Sequence, residues 1–272
     1  MKILLTNDDG YRARGLAELV EMMKPFGELT VVAPKYHQSG MSMAVTMGLK
    51  PIAVKRLPDR DGVRWWYVDA TPSSCVKYGL DEVFTDGLPD VVVCGVNHGS
   101  NAASASMYSA TVGAAREGAL AGVLSIAVSL DDFSPDADFS GVRKLFPDIF
   151  RKLTENPVAD KSIFYNINFP KGEARGIRIG SQGTVHWLKE FRPYDYDVFA
   201  RLGITPLDMG ILCMPEKEKD ETVYVMAGDL TDDPRNPADA DHRQLEAGFV
   251  TLCPLQLDAT AYAEKARLET LF

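Results

Sequence analysis

The chain has 272 residues, 46% hydrophobic and 25% charged, with a formal net charge of -9. That size buries a full core and that composition excludes a disordered chain. The acid excess repels nucleic-acid backbones and excludes broad binding to such polymers.

No apolar run reaches the roughly 18 residues needed to cross a bilayer, so no membrane partner is expected. The start turns acidic at Asp8, too early for the apolar stretch of a secretion signal. Four scattered cysteines, Cys75, Cys94, Cys213 and Cys253, form no CxxC pair. They suit a reducing cytoplasm and argue against a thiolate zinc site.

Residues 2–6 are short and apolar and read as a buried strand, broken by Asn7-Asp8-Asp9-Gly10. Leu16, Leu19, Val20 and Met23 recur at helical spacing, and Pro25 and Gly27 stop that helix. Residues 29–33 make a second strand, so the opening is a β-α-β unit with a right-handed crossover. A strand follows at 65–68. Thr71-Pro72 then starts a helix, with Thr as cap and Pro at its first position. Strands are predicted at 91–93 and 125–128, with an Ala-rich helix at 111–121 between them. Phe139, Val142, Leu145, Phe146, Ile149 and Phe150 give a further helical stripe.

Near-continuous apolar strands alternating with helices predict a doubly wound, mostly parallel, Rossmann-like α/β sheet. After about residue 170 the pattern turns to hairpin-type strands, at 175–187 and 222–227, among polar and Pro-rich stretches. The expected organisation is a catalytic α/β core over 1–170. A smaller hairpin-rich extension over 171–272 would complete the core and an oligomer, ending in a helix over 258–272.

In such sheets ligands bind beyond the carboxyl ends of the strands. Four polar groups fall there. Asp8 and Asp9 are adjacent carboxylates, costly side by side unless a cation neutralises them, and oxygen donors suit a hard divalent ion; an Asx-turn or helix cap beside Gly10 is the plainer reading. Ser39, in Gln38-Ser39-Gly40, follows the second strand and alone reads as a turn residue. Asn97, in Gly95-Val96-Asn97-His98-Gly99-Ser100-Asn101, can offer a carbonyl oxygen to a metal, although a Gly/Asn turn has the same composition. Ser109 and Thr111 open a helix, where free N–H groups favour a phosphate or simply an N-cap. Together the four suggest a hard metal facing a phosphate.

With these residues in view the chain resembles the SurE family of stationary-phase survival proteins and nucleotidases. The likeness lies in Thr6-Asn7-Asp8-Asp9-Gly10, Val32-Ala33-Pro34 with Gln38-Ser39-Gly40, Thr71-Pro72, and Gly95 through Asn101. It continues in Tyr108-Ser109 through Gly118, Asn166-Ile167-Asn168-Phe169-Pro170, Asp241 and Pro254-Leu255. The resemblance implies phosphohydrolase activity on nucleoside 5'- and 3'-monophosphates, and on short polyphosphate. It implies one divalent ion per subunit, Mg²⁺ or Mn²⁺, on Asp8, Asp9, Ser39 and Asn97. It places phosphate contacts at Asn101, Ser109 and Thr111, and a homodimer or homotetramer exchanging C-terminal segments. Against the usual pattern, Cys94 stands for Ser, Ala110 for Gly and Ser74 for Asp, and the loop at 102–107 is atypical.

The expected chemistry is a metal that polarises the phosphate and acidifies a water, with Asp8 or Asp9 as base. His98 is a tempting acid for the leaving oxygen but reads more simply as a surface-loop histidine. His37, His186 and His242 show no recognisable spacing. Two rival readings are an aspartyl-phosphate phosphatase and a nucleotide-binding module without turnover.

Overall fold

The structure is a computed structural model that describes residues 1–48, 50–195, 197–202, 205, 218–226 and 228–272. Strand β1 (Lys2–Thr6) leads through helix α1 (Arg14–Met23) and a short 3₁₀ turn to β2 (Glu28–Pro34). Strands β3 (Val54–Arg60) and β4 (Val63–Val68) precede α2 (Pro72–Tyr78) and β5 (Val91–His98). Next come α3 (Ala105–Tyr108), α4 (Ala110–Leu120), β6 (Leu124–Leu130), α5 (Ser140–Glu155) and β7 (Ile163–Phe169).

These strands form most of a nine-stranded sheet in the order β3-β4-β2-β1-β5-β6-β7, continued by two late strands. Every pair from β4 to β7 is parallel, and β3 adds antiparallel at one edge. The sheet is α/β and mostly parallel, as the alternating pattern predicts.

Alternate side chains of β1 serve opposite faces, as strand geometry requires. Ile3 and Leu5 join Leu16, Leu19 and Met23 of α1 and Phe146 and Phe150 of α5. Leu4 joins Val76 of α2 and Val112, Ala114 and Ala115 of α4 on the other face. The chain therefore runs outward from β1 through β2 to β4, then returns to β5 on the far side of β1. The gap between the ends of β1 and β5 is the switch point, where loops diverge and leave a crevice.

Beyond residue 170, β8 (Ile177–Ile179), β9 (Val185–Leu188), β10 (Phe191–Pro193) and α6 (Val198–Leu202) are followed by β11 (Tyr224–Met226) and β12 (Asp229–Asp232). The chain closes with α7 (Asp241–Glu246), β13 (Val250–Gln256) and α8 (Tyr262–Glu269). β13 pairs antiparallel with β7 and parallel with β8, while β10–β11 and β9–β12 form two separate ribbons.

Several expectations need correction. The 175–187 stretch is not one strand. Ser181 N–H donates to the Asp239 carbonyl at 3.1 Å and Gly183 N–H to the Asp241 carboxylate at 3.0 Å, diverting the backbone between β8 and β9. The strand expected at 222–227 is observed over Tyr224–Met226; Ala227 and Cys213 lie outside the described residues. The terminal helix is shorter than 258–272, and none of its residues is buried. The strand expected at 91–93 runs on to His98. Among the described residues no helix is long and apolar enough to cross a membrane.

Candidate active site

The crevice at the switch point is built from four loops. After β1, the Asn7 side-chain amide donates to the Gly10 carbonyl at 3.0 Å, fixing the Asx-type turn that carries the two carboxylates. After β2, Gln38 N–H donates to the Asp8 carbonyl at 2.7 Å and brings Ser39 alongside. The chain from Ser39 onward is then pinned across the site. Ser42 N–H donates to the Tyr108 carbonyl at 2.8 Å, and the Ser42 hydroxyl to the Met107 carbonyl at 2.7 Å. Gly113 is required where this segment crosses α4, because a Cβ there would stand 2.2 Å from the Ser42 carbonyl oxygen.

β5 carries its site residues inside the strand. Its register with β6 shifts between Cys94 and Asn97, an irregularity of the kind that re-aims side chains at sheet ends. The Asn97 side-chain N–H donates to the Gly99 carbonyl at 2.8 Å, so its amide oxygen is the atom left to accept or to ligate. Asn101 is pinned on three sides. Its N–H donates to Asn168 Oδ1 at 2.7 Å, its carbonyl accepts from Asn166 Nδ2 at 2.8 Å, and its Nδ2 donates to Ser129 Oγ at 2.8 Å. Asp241 secures the next residues, accepting Ala103 N–H on both oxygens at 3.0 Å. Ser109 caps α4, its hydroxyl oxygen accepting from Val112 N–H at 3.1 Å.

Asp8, Ser39, Asn97, Asn101 and Ser109 line one cavity of about 210 Å³. Thr111 lies behind it, fully buried, and donates its hydroxyl to Asp8 Oδ1 at 2.5 Å. Thr111 thus touches the carboxylate rather than the cavity.

The two carboxylates differ sharply. Burial, then the charge of Asp9, pushes the Asp8 pKa well above the ordinary range against the Thr111 hydrogen bond. Asp9 is also raised by burial, but hydrogen bonds from His37 and His98 outweigh that and hold it low. His37 Nδ1 is 3.3 Å from Asp9 Oδ1, and His98 Nδ1 is 3.3 Å from Asp9 Oδ2. The bond to Asp9 in turn raises the His37 pKa.

His98 is therefore no surface-loop residue. It sits at the end of β5, half-buried and edge-on to Phe139 at 5.2 Å. His37 belongs to the site as well. Its only sequence signal is its place just before Gln38-Ser39 at the end of β2.

The departures from the usual pattern are accommodated. Ala110 is fully buried as the first helical residue of α4 and needs no positive φ. Cys94 is buried in β5, and burial followed by the Asp8 charge pushes its thiol up. The Ser74 hydroxyl accepts from Thr46 N–H at 2.8 Å.

Residues 3–189 match the family model described as "Survival protein SurE". The chain belongs to the SurE family. A relative in Porphyromonas gingivalis, named 5'-nucleotidase SurE, is 33% identical over 271 residues, covering 100% of this chain and 96% of that one. Another of that name in Chlorobium phaeobacteroides is 41% identical over 190 residues, covering 69% of this chain and 72% of the other. The crystal structure of the SurE protein from Aquifex aeolicus superposes with a TM-score of 0.77 at 26% identity, covering 100% of this chain and 99% of that one.

Within this SurE chain the donor chemistry fits a hard divalent cation. Among the described residues no group of three or more His, Cys, Asp or Glu could hold a metal, so any such ion must use amide and hydroxyl oxygens too. Asp8 is a buried carboxylate beside a second one, and among the described residues no cationic side chain is bonded to it. Asn97 has its nitrogen spent and its oxygen to offer. Asp9 accepts two imidazoles yet keeps further lone pairs, since a carboxylate has about four acceptor positions.

Proposed function

We propose that this chain is a 5'-nucleotidase that needs a divalent cation, releasing phosphate from nucleoside 5'-monophosphates and also from 3'-monophosphates and short polyphosphate. The observation that carries the reading is the convergence of Asp8, Ser39, Asn97, Asn101 and Ser109 on one cavity at the switch point of the sheet. Asp8, Asp9, Ser39 and Asn97 would hold one Mg²⁺ or Mn²⁺ per subunit. When bound, such an ion polarises a phosphoryl oxygen and acidifies water.

The protein's own groups do the rest. Thr111 holds the Asp8 carboxylate in one orientation. Asp8, which lines the cavity and whose pKa burial pushes up, or Asp9, kept ionised beside it by His37 and His98, would take a proton from the attacking water. The N–H groups at the start of α4, with the Ser109 hydroxyl and Asn101, receive the phosphoryl oxygens as their charge grows. The enzyme acts in the cytoplasm as a homodimer or homotetramer.

The test is phosphate release from 5'-AMP and 5'-GMP with and without a chelator. Release that stops with chelator and returns with added Mn²⁺ or Mg²⁺ supports the reading. Release that ignores the chelator removes the metal from it, and no release in any metal removes the activity.

A further inference from the structure

Beside the cavity that holds Asp8 lies a second one of about 610 Å³, lined by Tyr108, Phe133, Trp187, Glu190, Met226 and Gly228. Its volume falls within the roughly 300–1,000 Å³ usual for small-molecule sites. The two cavities share Tyr108, Phe133 and Trp187, so a ligand can have one end in each. Tyr108 and Trp187 stand edge to face, their ring centroids 5.8 Å apart. Phe133 is 78% exposed, an unusual position for a phenyl ring in a folded chain. Its ring leans over Gly99, where a Cβ would stand only 2.2 Å from a ring carbon. Gly99, with φ of +98°, lets that ring reach the loop between Asn97 and Asn101.

Among the described residues Glu190 is the one acid lining this aromatic wall. It is half-buried and has no hydrogen bond or ion pair among the described residues. Its stem and Trp187 both crowd Gly228: a Cβ there would meet Trp187 Cβ at 2.9 Å and Glu190 Cγ at 3.1 Å. A carboxylate left unpaired in a wall of aromatic rings suits a ligand that brings N–H donors and a flat π-face.

We infer that the Tyr108–Phe133–Trp187 wall is a nucleobase subsite and that Glu190 selects guanine. The inference rests on the nucleotidase reading of the adjoining cavity. Flat exposed rings stack bases with little regard to their identity. Discrimination then falls to the polar group. Guanine offers two parallel donors on one edge, N1–H and the 2-amino group, which a carboxylate accepts together. Hypoxanthine offers only the first. Uracil flanks its single N–H with two carbonyl oxygens, which a carboxylate repels. Adenine pairs its amino group with a ring nitrogen lone pair and gains one bond at most.

The experiment compares kcat/KM for GMP, IMP, UMP and ribose 5-phosphate in the full chain and in Trp187→Ala, Phe133→Ala and Glu190→Gln. The wild type should favour GMP over IMP by about tenfold, the scale of one hydrogen bond to a charged group. Glu190→Gln should bring that ratio close to one. Trp187→Ala and Phe133→Ala should each lower the ratio of GMP to ribose 5-phosphate by roughly tenfold, mainly through KM, as loss of a stacking partner does. A wild type that treats GMP and ribose 5-phosphate alike overturns the subsite, and so does a GMP preference that survives in Glu190→Gln. If no substrate releases phosphate, the nucleotidase reading fails by itself. Quenching of tryptophan fluorescence by guanosine and not by uridine then still supports the subsite, and equal or absent quenching overturns it.

Discussion

Asp8 and Phe272 sit at opposite extremes of this chain. Asp8 is a carboxylate that is only 3% exposed, and Phe272 is an aromatic residue with no cover at all. Each is out of place by the ordinary rule that charge faces water and apolar surface does not. At the switch point the misfit is local: hydrogen bonds of Asn7, Gln38, Asn97 and Thr111 fix the segments around Asp8. In the tail the misfit is diffuse, with Leu268 exposed on a helix that buries nothing and Leu271 and Phe272 exposed just beyond its end. Each misfit points to something beyond the chain. A buried carboxylate pair asks for a cation, and an uncovered tail with exposed Leu268, Leu271 and Phe272 asks for another surface.

The sharpest way to break this contrast is to remove the charge. Asp8→Asn or Asp9→Asn should cut phosphate release by roughly 10³-fold or more and greatly weaken binding of divalent ions measured by calorimetry. Asp8→Asn should also raise the melting temperature of the metal-free protein. Burial penalises the Asp8 charge, and a neutral amide avoids that cost. Full activity in both variants would remove the carboxylates from the mechanism.

Ser109→Ala is the next largest change. Turnover should fall by roughly 10²-fold, the scale of one preorganised donor. The lost cap should cost about 1 kcal/mol of stability, visible in a denaturant titration. Metal affinity should hold; if it falls as far as turnover does, Ser109 belongs among the metal's ligands.

Truncation after Asp258 tests the other extreme. Light scattering should show smaller particles while phosphate release per chain persists, because no residue of α8 reaches the crevice. An unchanged particle size would mean that the tail covers nothing in the assembly.

The smallest effect concerns acid. Asn236, His242 and Arg243 hold Asp232 down to about 2. A carboxylate depressed on folding contributes stability above its unfolded pKa, and that contribution is lost as pH falls through the folded value. Protection from hydrogen exchange in the β9–β12 ribbon, taken relative to the intrinsic rate at each pH, should therefore fall between about pH 4 and pH 2. Asp232→Asn should flatten that change.

Much of this was legible before any coordinates. The buried strands announce themselves as apolar runs, and Thr71-Pro72 caps its helix as expected, with the Thr71 hydroxyl accepting from Ser74 N–H at 3.4 Å. Asp8, Ser39, Asn97, Asn101 and Ser109 meet because the parallel sheet gathers strand ends. What stayed hidden depends on long-range partners. β3 reads Val-Lys-Arg-Leu-Pro-Asp-Arg, an exposed edge strand with a proline, and carries no apolar alternation. The grip of His37 and His98 on Asp9 joins residues far apart in sequence. Thr111 looks like a phosphate donor at a helix start, and only packing shows its hydroxyl turned to Asp8.

The bond from Asp241 to Ala103 reaches across 138 positions. During synthesis both carboxylates and the whole parallel half emerge long before it. A nascent chain of 240 residues would already possess its reactive groups and the Ser129, Asn166 and Asn168 bonds that pin Asn101, yet Ala103 would lack its acceptor. Ala103 N–H therefore gains its carboxylate acceptor only near the end of translation, after every residue of the crevice has emerged.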